Sequence, residues 1–97
     1  MATYITLLRF TQKGVAEIKE SAARIDEAKQ AFKAMGAEFK AIYLTMGQYD
    51  MIAIADIPDD ETVAKLNLSI SAQGGVRGET LRAFTEEEFR KIISALP

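Results

Sequence analysis

The chain has no cysteine, no histidine and no tryptophan among its 97 residues. Without cysteine there is no disulfide framework, no thiolate nucleophile and no zinc–thiolate site, which fits a reducing compartment. Without histidine, Ser-His-Asp and Cys-His catalysis, a His-ligated haem and a two-His-one-carboxylate iron site all drop out, because each needs an imidazole. Any chemistry must use carboxylates, Tyr, Lys, Arg or a bound cofactor. An excess of charge of one sign is also missing: 12 basic against 14 acidic residues leave a net −2. No basic stripe is available for counterion release along a phosphate backbone, so nucleic acid is not an expected partner. No apolar run approaches the roughly 20 residues that span a bilayer. Met1-Ala2-Thr3-Tyr4 leads into a strand pattern without a signal-peptide layout. The expectation is a cytoplasmic protein without membrane association.

What is present, 48% hydrophobic and 27% charged residues, fits one compact domain over 1–97. Its organising stretch is Met46-Gly47-Gln48-Tyr49-Asp50-Met51, between two apolar runs. A glycine just ahead of an aromatic and a carboxylate predicts a tight hairpin connection. The arms are then strands over Phe39–Met46 and Met51–Ile57, the second stopped by Pro58. Upstream, Thr3–Phe10 is rich in β-branched and aromatic residues and apolar at both parities, a strand covered on both faces. Ile18, Ala22, Ile25, Ala28, Phe32 and Met35 then recur at helical spacing up to Gly36, with Ser21 a candidate N-cap that restarts the helix.

After the hairpin, Asp59 caps a helix whose buried stripe is Val63, Leu66 and Ile70 and which ends at Gly74-Gly75. Val76–Phe84 alternates as a fourth strand, with Gly78 a candidate bulge. Thr85-Glu86-Glu87-Glu88 is a capping box ahead of Phe89, Ile92, Ile93 and Leu96. The order βαββαβ plus a C-terminal helix, with right-handed crossovers, predicts an α+β ferredoxin-like plait with antiparallel strand order 4-1-3-2. Two helices cover one face of such a sheet. The strands are apolar on both faces, so roughly several hundred Å2 of apolar sheet would face water in a monomer. The expectation is a homodimer joined sheet to sheet, a dimeric α/β barrel.

Gly47-Gln48-Tyr49-Asp50, supported by Thr11-Gln12-Lys13-Gly14, Arg24, Pro58-Asp59-Asp60-Glu61, Val76-Arg77 and Thr80-Leu81-Arg82, resembles the GYD-domain family of the dimeric α/β-barrel superfamily. Two positions depart from the family pattern: Ala22 where a proline often stands, and Gly78 where a threonine is common. The resemblance implies the same protomer and dimer. It implies little about activity, since the superfamily includes cofactor-free monooxygenases, haem-degrading enzymes, isomerases and ligand-binding regulators.

The strand order gathers polar groups at one sheet edge: Arg9 from strand one, Tyr49 and Asp50 before strand three, Arg77 from strand four, with Tyr43 and Thr45 near by. An arginine can hold a carboxylate with two hydrogen bonds, and an adjacent Tyr and Asp could orient or deprotonate a small acid. Asp50 equally suits a turn, accepting from backbone N–H groups, with the arginines paired to it or to Glu79. Arg82, on a mid-sheet strand, is expected to be partly buried and paired, across the dimer if need be. The acidic runs 59–61 and 86–88 are explained by helix capping, so no metal is expected, nor any cofactor. These residues fit a homodimeric binding protein for an anionic or aromatic small molecule. A cofactor-independent monooxygenase- or isomerase-like enzyme with Asp50 as base, and a structural or regulatory dimer without ligand, remain alternatives.

Overall fold

The computed structural model describes residues Met1–Pro97. Four strands, β1 (Ala2–Phe10), β2 (Glu38–Leu44), β3 (Met51–Ile57) and β4 (Val76–Ala83), form one antiparallel sheet in the order β2-β3-β1-β4. This is the expected 4-1-3-2 order read from the other edge. Helices α1 (Gln12–Ala16), α2 (Ser21–Ala34) and α3 (Asp60–Ala72) follow β1 and β3, and α4 (Glu86–Ser94) closes the chain.

The core lies between the sheet and α2 and α3. Tyr4, Phe32, Ala37, Ala55, Ile57, Val63 and Leu66 form it, with Leu66 only 1% exposed. Removing these side chains from water holds the helices on the sheet, at about 1.5–3 kcal/mol for each large one. Phe32 meets Phe39 edge to face, ring centroids 5.2 Å apart. At its rim the Tyr4 hydroxyl donates to Asp60 Oδ1 at 2.6 Å. That bond to the neutral phenol, together with burial, raises the Tyr4 pKa.

The first helical region is broken, as the sequence suggests, but by a different device. Thr11 is a cap: its hydroxyl accepts from Gly14 N–H and donates to the Gly74 carbonyl. The helix therefore starts at Gln12, and a 3-10 turn over Ile18–Glu20 precedes α2. Ser21 is not an N-cap; it is the first residue of α2 with helical torsions, following Glu20, and no side chain caps that end. Gly36 and Gly74 take the left-handed conformation (φ 76° and 80°) that ends α2 and α3. Asp59 caps α3 by accepting from Thr62 N–H at 2.8 Å, and this bond lowers the Asp59 pKa.

The hairpin is looser than expected. β2 stops at Leu44, paired with Met51, so six residues bridge the arms. Gly47 (φ 114°) turns the chain, and the Thr45 N–H and hydroxyl reach the Asp50 and Tyr49 carbonyls. The bulge also sits elsewhere. The β1–β4 register runs unbroken through Gly78, opposite Leu8, and the irregularity falls in β2 between Phe39 and Ala41. With Lys40 as the extra residue, Phe39 and Ile42 both face the helices. At Gly78 a Cβ would stand 3.1 Å from Thr6 Cγ2 and 3.2 Å from Leu8 Cδ2, so a side chain there would require those methyls to shift by a few tenths of an ångström.

α4 carries the expected capping box, Thr85 and Glu88 each accepting the other's backbone N–H. It does not pack on the body. Phe89, Ile92, Ile93 and Leu96 are all exposed. No helix is long and apolar enough to cross a membrane.

Candidate functional site

Alternation along the strands divides the sheet. Thr6, Leu8 and Phe10 of β1 face the helices, so Ile5, Leu7 and Arg9 face the opposite side, which no element covers. The registers place Ile52 and Ile54 of β3 and Leu81 of β4 beside Ile5 and Leu7. Tyr43 of β2, opposite Ile52, lies on the same face and is 58% exposed. The open face thus has an apolar centre.

Its two ends are polar. At one end Arg9 and Arg77 are direct cross-strand partners. The Arg9 guanidinium stands 4.8 Å from the Tyr49 ring centre, and the Tyr49 hydroxyl donates to Glu79 Oε2 at 2.9 Å, which raises the Tyr49 pKa. Neither arginine has an ion-pair partner within 4.0 Å in the chain. At the other end Thr3 donates to Asp56 at 2.9 Å, and Lys40 bridges Asp56 and Glu38, each at 3.4 Å. The two carboxylates raise the Lys40 pKa.

Of the residues singled out from the sequence, the structure brings Arg9, Tyr49 and Arg77 together and puts Tyr43 on the same face. Asp50 is engaged differently. Its carboxylate accepts from Phe10 N–H at 2.9 Å, while its own N–H continues the β1–β3 ladder to the Leu8 carbonyl. It fixes where the loop re-enters the sheet. The arginines pair with neither Asp50 nor Glu79 as the turn reading had it; Glu79 is taken by Tyr49. Arg82 is exposed, not partly buried: β4 is an edge strand, not a mid-sheet one, and nears its end there, and the guanidinium lies 4.3 Å from the Phe84 ring centre and bonds the Ala83 carbonyl.

Between α2, α3 and the covered face of the sheet lies a cleft of about 120 Å3. Leu8, Ile25, Ala28, Phe32, Ala53 and Ile70 supply apolar wall. Arg24 and Asn67 bring polar groups into it. Arg24 Nη2 donates to Glu17 at 3.0 Å. The Asn67 amide exchanges hydrogen bonds with the Thr80 hydroxyl at 3.0 and 3.2 Å, and that hydroxyl lies 3.0 Å from Thr6 Oγ1. The sequence held a signal for this site. Asn67 falls on the Val63, Leu66, Ile70 stripe, where a polar amide needs a partner inside. Arg24 entered from the sequence only as part of the family pattern; its place against Gly75, where a Cβ would come within 2.5 Å of Arg24 Nη1, is seen only in the structure.

Comparison with known proteins is consistent across sequence and structure. A family model described as the GYD domain matches residues 4–93. The chain is 31% identical over 84 residues to the glutamine synthetase and cystathionine beta-lyase binding protein of Thermus thermophilus, covering 86% of this chain and 88% of that one. A crystal structure of a Thermus thermophilus protein is similar with a TM-score of 0.56 at 25% identity, over 88% of this chain and 95% of that chain. The Mycobacterium tuberculosis leucine response regulatory protein is similar in fold, with a TM-score of 0.57 at 11% identity, over 87% of this chain and 51% of that one.

Proposed function

Because the chain belongs to the GYD domain family, we propose that it is a homodimeric binding module, with two copies joined through their open sheet faces and each presenting a site for a small anionic or aromatic molecule. The observation that carries this reading is the open face itself. An apolar centre of Ile5, Leu7, Ile52, Ile54 and Leu81, framed by Arg9, Arg77, Tyr49 and Glu79 at one end and by Lys40 and Asp56 at the other, has the anatomy of an interface core with a polar rim. In such a dimer the arginines serve assembly, meeting carboxylates of the second copy. We read Asp50 as structural, because its Oδ2 accepts Phe10 N–H and ties the loop to β1.

Light scattering on the purified chain tests the dimer. Wild type is expected at twice 10.7 kDa, and Leu7→Asp, which places a charge in the apolar centre, at the monomer mass with its helical signal intact. A wild-type monomer at high micromolar concentration overturns the reading.

A second reading, favoured by the name of the Thermus thermophilus relative, is that the dimer engages an enzyme such as glutamine synthetase. Sedimentation of the chain with purified glutamine synthetase from its own source organism tests it, independent sedimentation of the two being the negative result.

A further inference from the structure

We propose that the cleft between α2, α3 and the sheet binds a small carboxylate with an aromatic or branched apolar body, its carboxylate held by Arg24 at the mouth. This rests on the reading of the protein as a small-molecule binder and supplies the place and the ligand class.

Charge at the mouth comes first. Arg24 lines the cleft, with Glu17 as its ion-pair partner, and Lys13 bonds the backbone of Gln73, another lining residue. Arg24 spends one Nη2 donor on Glu17, and Lys13 Nζ donates to the Gln73 carbonyl at 2.9 Å without an ion pair. The Arg24 side chain, 29% exposed, keeps its remaining donors within reach of an incoming anion. Glycines keep this mouth in shape. A Cβ at Gly14 would overlap the Gly75 carbonyl oxygen, and one at Gly75 would displace the guanidinium.

The interior selects the body. Ile25, Ala28 and Phe32 face Leu8 and Ala53 across the cleft. A cavity of about 120 Å3 is close to the size that takes one benzene ring. The Asn67, Thr80 and Thr6 side chains bond one another, which occupies most of their polar capacity and leaves the rest of the wall to apolar groups.

The probes are benzoate and isovalerate, with benzamide as the neutral counterpart of benzoate, titrated into isotope-labelled full-length protein and followed by backbone amide shifts. Saturable shifts are expected at Thr6, Arg24, Asn67 and Gly75 with both acids. Arg24→Gln is expected to weaken benzoate roughly tenfold while leaving benzamide unchanged. Ala28→Leu, filling the cleft with an apolar side chain, should abolish benzoate binding with the circular dichroism retained. The proposal is overturned by no saturable shift with either acid, by equal benzoate and benzamide affinity in both Arg24 forms, or by shifts confined to Arg9, Tyr49 and Arg77. Light scattering on the same samples separates the two readings: a monomer that binds benzoate removes only the dimer, and a dimer that binds neither acid removes only the ligand site.

Discussion

Asp50 shows how much one carboxylate can do without chemistry. Its Oδ2 accepts Phe10 N–H, and its backbone joins Leu8 on one side and Thr45 on the other, so loop, central strand and β2 converge on one residue. Asp50→Ala leaves Phe10 N–H without that partner and is expected to cost about 1–2 kcal/mol, read as a Tm lowered by several degrees in thermal denaturation. An unchanged Tm would remove Asp50 from the fold and return it to the candidate catalytic groups. At this scale the sequence was only half legible. A carboxylate beside a glycine turn signals a backbone acceptor, but nothing in Gly-Gln-Tyr-Asp says that its donor lies 40 residues upstream. Arg82 misled for a related reason: alternation gives the face of a strand residue but not how near the strand's end leaves it to water.

Elements were more legible than residues, because periodicity and capping are local. β3 spans Met51–Ile57 as read from the sequence, and the α3 and α4 caps are where Asp59 and Thr85 put them. The misses were nonlocal. Thr11 became a cap because its hydroxyl also reaches Gly74, and the bulge fell at Lys40 because β2 must turn both Phe39 and Ile42 toward the helices. α4 offers a clean test of local against tertiary stability. Thr85→Ala removes the hydroxyl of the capping box and should cost α4 about 1 kcal/mol. Since α4 does not pack on the body, helical circular dichroism should fall slightly while the main melting transition stays in place. A cooperative drop in Tm would mean that α4 is coupled to the core.

The stability of the whole molecule is expected to change little with proton concentration near neutrality. It has no histidine, the group whose ordinary pKa lies between about pH 5 and 8. Its perturbed groups lie at the extremes. Asp59 and Glu88 are lowered from 3.8 and 4.5 by the backbone N–H groups they accept. Their contribution is present above the unfolded pKa and is lost as pH falls through the folded one. Tyr4 and Tyr49, raised from 10.0 by Asp60 and Glu79, and Lys40, raised from 10.5 by Asp56 and Glu38, contribute below the unfolded pKa and lose that contribution as pH rises through the folded one. Urea titrations are therefore expected to give one midpoint from about pH 6 to 8 and falling midpoints beyond about pH 4 and pH 10; a midpoint that moves near pH 7 contradicts this assignment.

The bare sheet face has a consequence in mass action. In the proposed dimer, where two copies would cover each other's apolar strands, the folded state would gain a term that grows with the logarithm of protein concentration, and dilution would act as a denaturant. The abundance of this small chain would then set its own lifetime: scarce copies would be the ones to open and be degraded, while plentiful copies would protect one another.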